Sequence, residues 1–118
     1  MDENDIIVDE EYIANNFEDE LEFYAELAGL YLSETEERIT LMNEALAAKN
    51  SESLNKIGHS LKGASGYIGS PKMQGISSRI EKAGKDGDFQ SASLALNDIA
   101  VCFEELKENL KNKNYITG

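Results

Sequence analysis

Apolar side chains recur every three or four positions along most of this chain, the spacing of one buried face of an α-helix. The clearest case lies in residues 52–68, with apolar positions Leu54, Ile57, Leu61, Ala64 and Ile68. The last segment repeats the pattern at Phe89, Ala92, Leu96, Ile99, Phe103, Leu106 and Leu110. No segment alternates apolar and polar residues with a period of two, so the pattern predicts helices and no strands.

Three further helices are predicted on the same grounds. Residues 18–50 carry a long helical pattern with apolar positions Leu21, Tyr24, Ala28, Tyr31, Ile39, Met42 and Leu46. Because Ser33 and Glu36 resemble a capping box, this segment is either one kinked helix or two helices. The fourth segment carries Met73, Ile76, Ile80 and Ala83, and residues 9–17 predict a short helix near the start.

Polar and special residues predict where these helices begin and end. Ser51 and Asp88 are predicted to cap the third helix and the last one. Gly69 fits the position just beyond a helix end, where the left-handed conformation costs glycine little. Ser70 and Pro71 then suit the cap and the first residue of the next helix.

The predicted fold is all-α, an up-down antiparallel four-helix bundle with a short extra N-terminal helix, because short loops join long amphipathic helices. The chain of 118 residues has the length of one domain. We expect residues 1–8 to form an acidic flexible tail, residues 9–113 the bundle, and residues 114–118 a C-terminal tail.

Composition limits the possible partners. A formal net charge of −12 argues against nucleic acid and against an anionic membrane surface. No apolar run is long enough to span a bilayer, and the acidic N-terminus does not resemble a signal peptide. The single Cys102 predicts a cytoplasmic protein without disulfides, in which this cysteine is a small buried hydrophobic residue.

Charge is unevenly distributed along the chain. Residues 1–44 hold fifteen acidic residues and one basic residue, Arg38. Between Lys56 and Lys85 six basic residues face a single acid, Glu81. This segment is either a solvated mixed surface or a basic face that attracts an acidic partner or an anion.

The only histidine, His59, lies in this basic segment. On a helix it lies roughly 160° from Leu61, away from the stripe predicted to be buried. Its helical neighbours are Asn55, Lys62, Gly63 and Gly66. Each glycine costs a helix about 1 kcal/mol relative to alanine. Either another helix approaches here or the ring is left accessible; we favour access at Gly63, and both explanations stay open at Gly66.

An exposed histidine beside a lysine restricts the possible chemistry. We expect no metal site, because one histidine without a nearby cysteine supplies too few ligands. Nothing in the sequence predicts the cleft that a hydrolytic triad requires. The remaining hypothesis is that the imidazole of His59 is itself a nucleophile, with the Lys62 ammonium close enough to hold phosphoryl oxygens.

The segment HSLKGASGYIG, residues 59–69, resembles the signature of histidine-containing phosphotransfer (HPt) domains, the relay modules of multistep phosphorelays. The matching positions are His59, Leu61, Lys62, Gly63, Ala64 and Gly69. The resemblance extends over about residues 20–110, and it implies a four-helix bundle that carries a phosphoryl group. Gly58 stands where the family commonly has alanine, and the sequence offers no reason for this difference.

The resemblance also implies roles for individual residues. His59 would be phosphorylated at Nε2, and Lys62 would neutralise charge on the phosphoryl group. Glu81 stands where several members have a glutamine that orients the histidine, and a carboxylate there could accept from Nδ1–H. Lys85 would add positive charge. The residues expected at the partner interface are Asn55, Gly63, Gly66 and Lys85.

The implied partners are response-regulator receiver domains and a hybrid sensor histidine kinase, with Mg²⁺ held by the receiver. The sequence has no nucleotide-binding loop, so we expect a phosphoryl carrier that is not an enzyme. We also expect it to be a monomer. A phosphorylation-independent module that docks on or inhibits a kinase or receiver is the main alternative. The phosphoacceptor helix pair of a histidine kinase fits less well, because Ser60 stands where that site typically has an acid.

Overall fold

A computed structural model describes residues 5–116, which contain five α-helices and no strand. The helices are α1 (Glu10–Asn16), α2 (Leu21–Ala47), α3 (Ser51–Ile68), α4 (Pro71–Asp86) and α5 (Phe89–Asn112). The four long helices contact one another in a closed ring, α2 to α3, α3 to α4, α4 to α5 and α5 to α2. The prediction of an all-helical bundle with a short N-terminal helix is therefore confirmed.

The second helix is continuous over 27 residues, so the segment does not divide near Ser33. Its buried stripe includes Tyr24, Tyr31 and Met42, as the spacing predicts, and Thr35 continues the stripe between them. The prediction that Leu21 is buried is wrong, because this residue begins the helix beside a groove and remains half exposed.

Most helix boundaries agree with the predicted caps. Gly69 is left-handed with φ of 85°, the Ser70 hydroxyl accepts from the backbone N–H of Met73, and Pro71 begins α4. Asp88 caps α5. The prediction that Ser51 caps α3 is wrong. The side chain of Asn50, one residue earlier, accepts from the N–H of Ser53 at 3.1 Å, so that Ser51 is the first helical residue.

Residues 5–8 pack against the bundle, so the prediction of a loose tail is wrong for them. The carbonyl of Ile6 accepts from the N–H of Lys72 at 2.9 Å, and Ile7 and Val8 contact the core. Burial of apolar surface is favourable in free energy, and the run of three apolar residues explains why this segment packs. Residues 1–4 lie outside the described part of the chain.

The chain after α5 also turns back onto the bundle. The N–H of Tyr115 donates to the carbonyl of Leu110 at 2.9 Å, and the Tyr115 ring meets the Tyr24 ring edge to face at 5.4 Å. Ile116 packs on the core as well. The chain therefore packs against the bundle up to residue 116, and residues 117–118 lie outside the described part.

Cys102 is buried in the core, and burial raises the pKa of its thiol to about 11. The thiol stays protonated near neutral pH and acts as a small hydrophobic side chain, as predicted. Between residues 5 and 116, no helix has both the length and the apolar character required to cross a membrane.

Candidate functional site

His59 projects from the solvent-facing side of α3. Its side chain is 70% exposed, whereas Leu61 two positions later is fully buried. The helical geometry that predicts this outward orientation therefore holds. The imidazole lies at the edge of the interface between α3 and α4, where a side chain from α4 can reach it.

Glu81 of α4 bridges the histidine and the lysine. One carboxylate oxygen, Oε2, lies 2.6 Å from His59 Nδ1, and the other, Oε1, accepts from Lys62 Nζ at 2.6 Å. The Glu81 side chain is 21% exposed; its contact with Lys62 is partly buried, whereas its contact with His59 is open to solvent. A single carboxylate thus holds the two groups that the sequence places one helical turn apart.

The electrostatics of this trio determine which ring nitrogen is available. The hydrogen bond from Lys62, and then that from His59, lower the pKa of the Glu81 carboxyl below its ordinary value. An ionised carboxylate has no proton to donate, so Nδ1 must carry the hydrogen of their bond. Nε2 has no hydrogen-bond partner among residues 5–116, which leaves its lone pair directed outward in the neutral ring. No cluster of histidine, cysteine and acidic side chains in this range could hold a metal ion.

Asn55 and Gly58 contact the backbone of the same glutamate. Asn55 Nδ2 donates to the carbonyl of Glu81 at 2.9 Å, so this side chain, predicted to meet a partner, is occupied within the domain. A Cβ on Gly58 would lie only 2.7 Å from the backbone nitrogen of Glu81. No sequence signal explains this glycine, and the structure places it where the backbones of α3 and α4 come close together beside the site.

The other two glycines near His59 differ from each other. A Cβ on Gly63 would meet nothing within 4 Å, so the helix surface beside the histidine is bare there. At Gly66 a Cβ would meet the Gln74 side chain, which crosses from α4. Gly66 therefore accommodates a flexible side chain and contributes to a groove of about 490 Å³ that Tyr12 and Tyr67 also line.

The basic segment is largely neutralised by ion pairs. The pairs are Lys56–Glu52, Lys62–Glu81, Lys72–Glu105, Arg79–Asp98 and Lys82–Asp86. Lys85 is exposed in the last turn of α4 and forms no ion pair with residues 5–116. Of the two interpretations left open by the sequence, the structure favours a mixed solvated surface, because α5 supplies acids distant in sequence.

An apolar surface beside the histidine was missed by the sequence analysis. Phe23, Leu30 and Tyr67 are each about half exposed, and Leu27 and Ala64 lie partly buried among them. We call these five residues the α2–α3 apolar surface. The spacing of Phe23, Leu27 and Leu30 indicates a second apolar stripe on α2, a signal that was present in the sequence.

The apolar surface continues the row that begins at His59. His59, Gly63 and Tyr67 are each four residues apart, so they follow one another along the same side of α3. A partner that covers the bare helix at Gly63 would therefore meet the imidazole at one end and the Tyr67 ring at the other. Exposed apolar patches of this kind typically mark interaction sites.

Comparison with known proteins agrees with this geometry. Residues 26–113 match the model of the Hpt domain family. Multistep phosphorelay regulator 1 of Schizosaccharomyces pombe is 31% identical over 101 residues, which cover 80% of this chain and 34% of that protein. The chain thus spans about a third of the length of this relative.

A solved structure gives the same fold. The crystal structure of histidine-containing phosphotransfer protein B from Pseudomonas aeruginosa PAO1 matches with a TM-score of 0.84 at 24% identity, over 90% of this chain and 92% of that one. The family match extends over most of the chain and includes His59, Lys62 and Glu81. The protein therefore belongs to the Hpt domain family.

Proposed function

We propose that this protein is the histidine phosphotransfer carrier of a multistep two-component phosphorelay. His59 accepts a phosphoryl group from the aspartyl phosphate of one receiver domain and passes it to the aspartate of another. The observation that carries the proposal is the contact between Glu81 and His59 Nδ1, which leaves an exposed Nε2 as the nucleophile. The family membership supports the same function.

The transfer step uses the groups at this site together with the partner's aspartyl phosphate and the Mg²⁺ that the receiver holds. The Nε2 lone pair forms a bond to phosphorus while the bond between phosphorus and the aspartate oxygen breaks, and the aspartate leaves with that electron pair. The ring keeps its proton on Nδ1 and becomes positively charged. The ionised Glu81 carboxylate, 2.6 Å from Nδ1, balances this charge. The reverse step returns the phosphoryl group to an aspartate.

Lys62 supplies positive charge beside the phosphoryl group. Before phosphorylation its ammonium is bound to Glu81 Oε1, and about a third of its side chain is exposed. A phosphoryl group on Nε2 presents new anionic oxygens one helical turn away, so Lys62 can turn towards them. Lys85 on α4, one helical turn beyond Glu81 and without an ion pair within the described residues, adds a second positive charge near the site.

The receiver domain docks over Gly63 and the α2–α3 apolar surface. This surface supplies burial of apolar area, and the bare helix at Gly63 permits close approach to His59. The receiver holds Mg²⁺ around its own aspartate, so this chain needs no metal. Receivers of response regulators and of a hybrid sensor histidine kinase are the partners we propose, met by a monomeric carrier in the cytoplasm.

A module that binds receivers or kinases without being phosphorylated is the alternative function. The α2–α3 apolar surface alone would serve it, because docking needs no reactive histidine. The hydrogen bond that His59 Nδ1–H donates to Glu81 favours the carrier, since a docking module gains nothing from a nucleophilic Nε2.

Labelled phosphoryl transfer distinguishes the two functions. The full chain is incubated with a cognate receiver domain carrying radioactive aspartyl phosphate, and label on the chain is measured. We expect label that is lost in acid and kept in base, that disappears in His59→Gln, and that remains in the control Ser60→Ala. Label that persists in His59→Gln would refute the assignment, and binding without transfer would support the docking module.

A further inference from the structure

We propose that Gly58 is a positioning residue for phosphotransfer. Its missing side chain lets α4 approach α3 closely enough for the Glu81 carboxylate to hold His59 Nδ1. The inference rests on the proposed function in that His59 is taken as the acceptor. It explains a glycine at a position where helix propensity alone favours alanine.

The three atoms nearest to a Cβ at Gly58 would all belong to the backbone of α4. A Cβ built on this residue would lie 2.7 Å from the Glu81 nitrogen, 3.0 Å from the Glu81 Cα and 3.2 Å from the Ser77 carbonyl oxygen. A side chain could change rotamer to make room, but the backbone of a helix moves only if the helix shifts. An alanine at this position therefore displaces α4 at the very residue that holds the imidazole.

Four residues on one face of α3 contact Glu81. Gly58 faces its backbone nitrogen, which a Cβ at this position would approach to 2.7 Å, and Asn55 donates to its backbone carbonyl at 2.9 Å. His59 and Lys62 meet the two carboxylate oxygens, each at 2.6 Å. The spacing of these four positions, three, one and three residues, places them on adjoining rows of the helix. The same face thus fixes both the backbone and the charged end of the glutamate.

Other glycines of the bundle show that this closeness is local. A Cβ on Gly29 or Gly63 would meet nothing within 4 Å, and one on Gly66 would meet only the flexible Gln74 side chain. Gly84, one turn beyond Glu81 on α4, repeats the close approach, because its Cβ would lie 2.4 Å from the Asn55 nitrogen. Gly58 and Gly84 therefore face each other's helices on either side of the Asn55–Glu81 hydrogen bond.

The direct test is Gly58→Ala, read by ¹⁵N NMR of the His59 imidazole in the unphosphorylated full chain. In mildly alkaline buffer the wild-type protein should show predominantly the Nδ1–H tautomer, the one that donates to Glu81. We expect the alanine variant to shift towards a mixture of both tautomers. Phosphoryl transfer from a labelled receiver should slow on the order of tenfold, because displaced groups lose productive geometry.

Gly29→Ala is the matched control. It makes the same change within a helix, at a glycine with open space and remote from the site, so tautomer and transfer rate should stay as in the wild type. The double variant of Gly58→Ala with Glu81→Ala separates a positioning role from a general effect. If Gly58 acts through Glu81, Gly58→Ala causes no further tautomer shift in a protein that already carries Glu81→Ala.

Asn55→Ala serves as the second variant if Gly58→Ala does not fold. It adds no bulk and removes the hydrogen bond to the Glu81 carbonyl, so it should shift the tautomer in the same direction. The wild-type tautomer in a folded Gly58→Ala or Asn55→Ala protein would overturn the proposal. The proposal would also be overturned if Gly58→Ala shifted the tautomer as much in the Glu81→Ala background as in the wild type. The NMR readout does not depend on phosphotransfer. If the variants shift the tautomer but neither they nor the wild type accept a phosphoryl group, the proposed function is refuted, whereas the positioning role of Gly58 is retained.

Discussion

Gly58 and Gly63 lie on either side of His59 in the sequence and have opposite surroundings. A Cβ on Gly58 would approach the α4 backbone to 2.7 Å, whereas one on Gly63 would meet nothing within 4 Å. Each of the two glycines reduces the stability of the helix by the same amount, about 1 kcal/mol relative to alanine. The first glycine lies at a close helix–helix interface inside the domain, and the second leaves the helix surface bare, as the proposed docking of a receiver requires.

The two sides of α3 differ in chemistry as well as in packing. Towards α4 the histidine meets a hydrogen-bonded polar group, Glu81 with Lys62, that fixes the ring. Towards α2 the surface is apolar and half exposed, with Leu30 and Tyr67 prominent. The difference suits the proposed function, in which one side orients the nucleophile and the other receives the partner.

The largest expected effect comes from filling the closed side. Gly84→Ala places a Cβ 2.4 Å from the Asn55 nitrogen, and overpacking of this kind costs about 2 kcal/mol of unfolding free energy even after the gain in helix propensity. Urea denaturation monitored by circular dichroism measures the change. The control Gly29→Ala, in open space, should leave stability unchanged or raise it by up to about 1 kcal/mol. Equal stability of the two variants would mean that α3 and α4 are not packed this closely.

The next effect comes from filling the open side. Gly63→Gln puts bulk on the docking surface, so receiver binding should weaken about tenfold, the effect of a loss of 1.4 kcal/mol. Stability should stay unchanged or rise by up to about 1 kcal/mol, because a helix glycine is removed and nothing is displaced. Isothermal titration calorimetry measures the affinity, and Gly29→Gln is the matched control. Unchanged affinity in Gly63→Gln would place the receiver elsewhere on the bundle.

The elements of the fold could be predicted from sequence because they depend on local signals. Apolar spacing located the helices, Ser70, Pro71 and Asp88 marked their starts, and Gly69 marked an end. The outward direction of His59 also follows from local geometry, since it is fixed by its angle to Leu61 on the same helix. The packing of the terminal segments could not be predicted, because whether Ile6 and Tyr115 pack depends on surfaces formed by distant residues.

The arrangement of the site depends on pairs that are distant in sequence. Asn55 was expected to meet a partner, but the carbonyl that it bonds belongs to Glu81, 26 residues later. Gly58 stayed unexplained for the same reason, because its neighbour is the backbone of another helix. Arg79 counted as part of a basic segment until α5 brought Asp98 to 2.9 Å. Spacing within one helix cannot reveal such contacts between helices.

The smallest expected effect measures how much the polar side contributes to stability. Hydrogen bonds from Lys62 and His59 lower the pKa of Glu81 in the folded state, so the ionised carboxylate stabilises the fold above its unfolded pKa, near 4.5. That stabilisation is lost as the pH falls through the lower folded pKa. Glu81→Gln should therefore reduce the unfolding free energy by about 0.5 kcal/mol at neutral pH and by nothing in strong acid.

Denaturant melts of both proteins at several pH values give this difference. Glu52→Gln is the control, since Glu52 pairs with Lys56 on the exposed face of the same helix and should show a smaller difference. A Glu81→Gln protein as stable as the wild type at every pH would show that the carboxylate orients His59 without stabilising the bundle. The division between the two sides of α3 would then be sharper, because the glycine-closed backbone contact alone would hold α4 in place and the charged trio would serve the histidine only.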